Sequence, residues 1–207
     1  MIRTIVEKNP VENERLLNAM YRARKTLFVD RLGWTMPVDD DGREIDRFDA
    51  LSPVYLVDTD DRGRHRGSVR MLPTTGDTVL GDRIAALFDG LPVASPSVWE
   101  FTRFCVSGEN RRTLAPRDVR QTTLDLLLAI CETCMAKGVD HVVGSFDQRM
   151  RTVCDLAGWS PELLGRGIGD HGVVYLGIWE TTAANAAILR AAGGVFRPCD
   201  TAMRHSP

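Results

Sequence analysis

Long apolar runs are missing from this sequence, and no stretch reaches the roughly 18 residues that a bilayer-crossing helix needs. The first residues, Met1-Ile2-Arg3-Thr4-Ile5-Val6-Glu7, lack an apolar segment followed by a small-residue cleavage site, so a cytoplasmic location is expected. An excess of one charge is missing too. The 26 basic and 28 acidic residues leave a formal charge of -2, which argues against a chain that coats nucleic acid or anchors to an acidic membrane. Cysteine is sparse: five residues, an odd number in a chain of 207 that is long enough to fold on its own core, read as reduced thiols rather than a disulfide framework. Cys131 and Cys134 form a C-x-x-C inside the apolar run from Leu124 to Met135, with no second pair to complete a metal site, and read as core packing.

The familiar signatures of other chemistries are likewise absent or out of context. His65, His141, His171 and His205 are scattered without paired zinc spacing, no G-x-S-x-G marks a nucleophilic serine, and no metal is expected. Gly165, Gly167 and Gly169 precede a strand instead of joining a strand to a helix, so they predict a turn and not a dinucleotide loop. Asp39-Asp40-Asp41-Gly42 lacks the alternating ligands of a calcium loop and predicts a solvated turn. Repeats, low-complexity tracts and interdomain linkers are not found, which predicts one domain over residues 1–207.

What is present is a regular alternation of elements. Leu16, Leu17, Met20, Leu27 and Phe28 recur near the helical period and predict an amphipathic helix, or two short ones, from about Val11 to Leu32. Gly33 to Leu51 is acidic and aperiodic, a long loop of the kind that often carries function. A hairpin follows, with strands around Val54–Val57 and Gly67–Leu72, then a strand from Val98 to Val106. Pro116 and Gly138 bracket a long helix. Beyond it the pattern predicts a strand at Val139–Phe146, a helix at Gln148–Ala157, a strand at Val173–Trp179 and a last helix at Thr182–Ala192. The expected fold is α/β, with a single central mixed sheet flanked by helices. Strict alternation in the Val98–Val106 strand places Glu100 and Thr102 on one face and Trp99, Phe101 and Arg103 on the other.

Charged residues inside an aromatic strand require a reason, and their spacing supplies one. Arg24-x-x-x-Phe28-Val29, Gly33-Trp34, Glu44-x-Asp46-x-Phe48-Asp49, Arg70-Met71-Leu72-Pro73-Thr74-Thr75 and Val98-Trp99-Glu100-Phe101-Thr102-Arg103-Phe104 together resemble the signature of acyl-homoserine lactone (autoinducer) synthases. The resemblance is dense over about residues 20 to 106 and thinner afterwards. It implies a fold related to the N-acetyltransferases, and synthesis of an N-acyl-homoserine lactone from S-adenosylmethionine and an acyl thioester carried by acyl carrier protein or CoA. S-Adenosylmethionine is then a substrate, and no cofactor is required. Ordinary acetyltransferases place an R-x-x-G-x-G/A pyrophosphate loop after the corresponding strand; here Ser107-Gly108-Glu109-Asn110-Arg111-Arg112 follows instead.

The chemistry assigns roles to these positions. Glu100 offers a general base for the attacking amine. Asp46 and Asp49 suit the ammonium and sulfonium charges of S-adenosylmethionine, and Arg70 or Arg103 its carboxylate. Arg24, Phe28 and Trp34 complete the substrate-binding set, with Phe28 placed to be partly core and Trp34 to cover the substrate. A structural salt-bridge network is the rival reading of the same charges. The resemblance places the acyl pocket along Gly144, Ser145 and Phe146, where glycine at 144 favours an unsubstituted or bulky acyl chain over a 3-oxo chain. Arg149 and Arg151, with Arg103, Arg111, Arg112, Arg117 and Arg120, make a basic surface that could dock acyl carrier protein, or a solvated helix face. Competing functions are another acyl-CoA-dependent N-acyltransferase and a non-catalytic ligand-binding module.

Overall fold

A computed structural model describes residues 1–6, 10–84, 94–106 and 116–193. Seven strands join one sheet: β1 (Ile2–Ile5), β2 (Val54–Thr59), β3 (His65–Pro73), β4 (Val98–Val106), β5 (His141–Phe146), β6 (Glu162–Gly169) and β7 (Gly172–Glu180), in the order β1-β2-β3-β4-β5-β7-β6. All neighbours are antiparallel except β4 and β5, which are parallel and joined through the helix α2 (Pro116–Ala136). This is the mixed sheet with flanking helices that the sequence predicts. No helix of the described residues is long and apolar enough to cross a membrane.

Alternation sorts the side chains into two layers. Val54, Leu56, Val69, Met71, Phe101 and Val142 face α2, whose Leu126, Leu127, Ile130, Cys131 and Cys134 complete the larger core. Tyr55 and Val57 face the other way, against Leu16, Leu17, Met20 and Tyr21 of α1 (Pro10–Arg24). Cys105, Cys131, Cys134 and Cys154 are buried and unpaired, as expected, and burial pushes their thiols up to about 11 for Cys131 and about 12 for the others. Cys199 and His205 lie outside the described residues.

Two strands escape the sequence reading. β1 has only four residues, too few for a period. β6 holds Gly165, Gly167 and Gly169, which predict a turn but lie in a strand paired along β7. Glycine disfavours a strand by only a modest amount, and the adjacent β7 supplies the ladder that overrides it. The short helices α3 (Gln148–Ala157) and α4 (Ala183–Ala191) fall where expected, each with a side-chain cap at its start, Asp147 to the Met150 amide and Thr182 to the Asn185 amide.

Candidate active site

The first helical segment does not end where α1 does. It continues as a π-helix over Lys25–Arg31, a rare form that is frequent at functional sites. Gly33 then adopts φ +70°, a conformation that favours glycine, and the Trp34 amide donates back to the Phe28 carbonyl at 2.8 Å. This closure lays the Trp34 indole on the Phe28 ring, 5.1 Å between centroids and 17° from parallel. Phe28 is buried and Trp34 half-buried, in keeping with the different roles expected of them.

The acidic loop after Trp34 folds back beneath α1. Asp46 caps a short 3-10 turn over Arg47–Ala50, accepting from the Phe48 amide, while Asp49 accepts from the Asp46 amide. That reciprocal pair aims both carboxylates at the sheet. Arg24 donates to both oxygens of Asp49 at 2.9 Å and through Nε to Glu44 at 2.5 Å. Arg70, from β3, binds Asp46 with both terminal nitrogens and reaches Asp49 at 2.9 Å, while its Nε donates to Thr102. Arg103 donates to Glu44 at 3.1 Å and to Asp46 at 2.5 Å. Tyr55 donates to Asp49 at 2.7 Å, and its hydroxyl also meets that of Tyr21.

Three arginines and three carboxylates therefore neutralise one another in a buried layer. Isolated ions here would be costly, and mutual pairing offsets that desolvation. Burial raises the Asp49 carboxyl, but the Arg24 hydrogen bond and the charges of Arg24 and Arg70 overcome it and hold the group well below the usual carboxylate range. Glu44 is the member absent from the expected site residues. The sequence carried its signal, in the Glu44-x-Asp46 spacing, but not the fact that it is fully buried between Arg24 and Arg103.

Arg103 reaches this layer through an irregularity that alternation could not show. Between β3 and β4 the register runs Ser68↔Cys105 and then Arg70↔Thr102, so β4 carries one residue more than β3. Arg103 sits in that bulge at φ +56°, uncommon for a non-glycine residue. The extra residue turns Arg103 away from the Phe101 face, where strict alternation places it, and onto the face of Thr102, Arg70 and Glu100. Its guanidinium lies 6.0 Å from the Phe28 ring centre.

Glu100 stands apart from the ion pairs. Its carboxylate accepts from the backbone amides of Val79 at 3.0 Å and Leu80 at 2.6 Å, and none of the described salt bridges includes it. Burial pushes this carboxyl up to about 7, opposed by the Leu80 and Val79 amides and by the nearby charges of Arg70 and Arg103. Glu100 also marks a fork in the sheet. Pairing of β4 with β5 stops at Glu100↔Val143, although β4 continues to Val106 and β5 to Phe146. The strands part there, and among the described residues the edge of β4 beyond Glu100 has no ladder partner on the β5 side.

On β5, Gly144 faces the α2 side and Ser145 the side of Glu100. A Cβ on Gly144 would come within 2.9 Å of the Phe101 ring, so the space left by the missing side chain is filled by that ring. Phe146 stacks with Tyr175 and tilts against Trp179. Arg149 and Arg151 lie at the start of α3, with Arg149 exposed and Arg151 resting over the Tyr175 ring at 5.4 Å. Arg117 and Arg120 are exposed on α2, whereas Arg111 and Arg112, with the rest of the segment that replaces the pyrophosphate loop, lie outside the described residues.

Comparison with known proteins identifies the family and the fold. Residues 8–187 match the family model described as autoinducer synthase. An acyl-homoserine-lactone synthase of Rhizobium etli is 37% identical over 196 residues, 92% of this chain and 89% of the relative. One of Agrobacterium fabrum is 34% identical over 168 residues, 78% of each. Among solved structures, the CoA-dependent acyl-homoserine lactone synthase BjaI with MTA superposes with a TM-score of 0.81 at 25% identity, covering 95% of this chain and 90% of that one. A putative N-acetyltransferase from Lactobacillus plantarum shares the fold alone, with a TM-score of 0.58 at 16% identity over 88% of this chain and 98% of that one. With most of its length matched by one family model, and with the carboxylate and arginine pattern assembled at a forked sheet, the chain belongs to the autoinducer synthase family, whose members are acyltransferases.

Proposed function

We propose that the chain makes an N-acyl-L-homoserine lactone from S-adenosylmethionine and an acyl thioester, releasing methylthioadenosine. The observation that carries this reading is Glu100: a buried carboxyl poised near neutrality at the point where β4 and β5 separate. A group that titrates near the working pH is well suited to take a proton from an ammonium. Directly or through one water, Glu100 removes a proton from the amine of S-adenosylmethionine, and the freed nitrogen pair attacks the thioester carbonyl carbon. Backbone N–H groups on the open edge of β4 hold the resulting oxyanion. Collapse of this intermediate releases the second nitrogen proton, forms the amide and expels the carrier thiolate, which takes that proton up. The methionine carboxylate then attacks its own γ-carbon and the C–S⁺ bond breaks. Lactone and methylthioadenosine leave, in a closure that needs orientation and no new nucleophile.

The ion-pair layer divides the remaining work. Asp46 and Arg103 keep 6% and 10% of their side-chain surface exposed, whereas Arg70 and Asp49 expose none and Arg24 only 1%. Asp46 and Arg103 therefore meet the charges of S-adenosylmethionine, with Trp34 covering it. Arg24, Asp49 and Arg70 act by fixing those two groups. Acyl carrier protein is the donor favoured by the exposed basic residues Arg117, Arg120 and Arg149, and the acyl chain runs along β5 past Ser145 and Phe146. The decisive experiment incubates the purified chain with S-adenosylmethionine and either acyl-carrier protein or acyl-CoA, reading products by mass spectrometry. Methylthioadenosine and an acyl lactone should appear together and require the acyl donor. An acylated product without methylthioadenosine would identify another N-acyltransferase.

A further inference from the structure

The β6–β7 hairpin extends past the strand that supports it. The last pair between β5 and β7 is Phe146↔Tyr175, so Gly167, Ile168, Gly169, Gly172, Val173 and Val174 are paired only within the hairpin. A two-stranded ribbon of this kind is only marginally held by its own ladder. Its tip is Gly169-Asp170-His171-Gly172, with Gly172 at φ +112°. Yet the tip ends on a defined partner. The His171 ring lies 20° from parallel with the Trp34 indole, 6.1 Å between centroids, and extends the Phe28–Trp34 stack by a third ring.

The two sides of this contact come from opposite banks of the fork. Trp34 is anchored through Phe28, which packs with Cys105 near the end of β4. His171 lies in the turn that leads into β7, and β7 pairs with β5 on the side away from β4. The parallel strands β4 and β5 open toward that same end, so the pair spans the mouth of the cleft whose inner end is Glu100.

We propose that His171 is a ligand-contacting residue which, with Trp34, forms an aromatic clamp for the planar base of the adenosyl substrate. This rests on the reading of the site given under Proposed function. Ring atoms in contact are about 3.5–4.0 Å apart, so a base held between two rings sets them about 7–8 Å apart. The present 6.1 Å spacing then requires the tip to yield by about 1–2 Å, which a ribbon without a third strand permits. The sequence pattern could not reveal this role, because His171 is 137 positions from Trp34 and carries no motif.

Calorimetric titration with methylthioadenosine tests the clamp on wild type, His171→Ala and His171→Phe, alongside melting temperatures and Michaelis constants for S-adenosylmethionine and the acyl donor. Loss of a stacked ring should weaken methylthioadenosine binding by about 5- to 150-fold and raise the Michaelis constant for S-adenosylmethionine, leaving that of the acyl donor unchanged. Phenylalanine should restore most of the affinity. Alanine binding within twofold of wild type would overturn the clamp, as would a phenylalanine variant as weak as alanine. If the alanine variant melts early, the phenylalanine variant alone decides. A wild-type chain that makes lactone while His171→Ala binds normally removes only the clamp, whereas one that neither binds methylthioadenosine nor makes lactone removes the functional reading as well.

Discussion

Asp49 and Glu100 are both buried carboxyls on the α1 face of the sheet, and their surroundings drive them in opposite directions. Asp49 accepts from Arg24, Arg70, Tyr55 and the Asp46 amide, and these donors hold it ionised. Among the described residues Glu100 accepts hydrogen bonds from two backbone amides, and burial moves it up to about 7. The first environment locks a loop, a helix end and two strands together. The second leaves a proton acceptor whose state changes near neutral pH. Paired charge fixes architecture, and a carboxyl kept out of that pairing is free for chemistry.

The sharpest way to break this contrast is Glu100→Gln. Glutamine can still accept from the Leu80 amide but cannot take a proton, so single-turnover acylation should slow by about 10²–10⁴-fold. Its NH₂ group meets the Val79 amide as a second donor, so the melting temperature should be measured on the same preparation. Near-normal turnover per folded molecule would end the general-base role. Asp49→Asn tests the other environment: it leaves Arg24 and Arg70 with unmatched charge and should cost about 3–5 kcal/mol in chemical denaturation. If stability stays near wild type, the layer is not structural.

The two carboxyls also predict opposite dependence on pH. Asp49 is depressed below its unfolded value near 3.9, so its stabilisation is present above that pH and is lost as pH falls through the folded value. Glu100 is raised, so ionising it costs stability as pH climbs from its unfolded value of about 4.3 through about 7. With Glu100 as the proposed base, acylation should require its ionised form and rise about tenfold per pH unit below 7, then level off. A flat rate between pH 6 and 8 would detach Glu100 from the proton transfer. Denaturation of Glu100→Gln should lack the loss of stability expected of wild type between about pH 4.3 and about 7.

Smaller effects are expected at the far end of the cleft. Reversing Arg149 and Arg151 to glutamate should raise the Michaelis constant for acyl carrier protein several-fold and flatten its salt dependence, whereas unchanged kinetics would remove the docking surface. The smallest effect concerns chain preference. Wild type should favour an unsubstituted acyl lactone over a 3-oxo one because Gly144 carries no hydroxyl, while the Phe101 ring that fills the space at Gly144 removes the argument for a bulky chain. A predominantly 3-oxo product by mass spectrometry would contradict this.

Much of this site is legible in the linear text, because its charges recur at fixed intervals within continuous elements. Arg24 and Phe28 share a helix, Asp46 and Asp49 a single turn, and Glu100 and Arg103 one strand. The ion pairing of those residues was one of two open readings, and the geometry shows that it exists. Glu44 could have been read from its spacing to Asp46, but burial is a property of the assembled layer. The β6 strand could not be read from glycines that mimic a turn, since its reason for being extended is the β7 ladder beside it.

By itself, the sequence determined the order of every element but β1 and β6, the two-sided sheet and the charges and aromatics that make up the site. It does so because hydrophobic period and local turn chemistry act over a few residues at a time. Tertiary structure alone decided three other things. It inserted one residue into β4 and so turned Arg103 to the face of Arg70; it separated Glu100 from the arginines nearby; and it brought His171 onto Trp34. Each depends on a partner distant in the chain, where register, burial and desolvation are set by the neighbouring element and not by the local pattern.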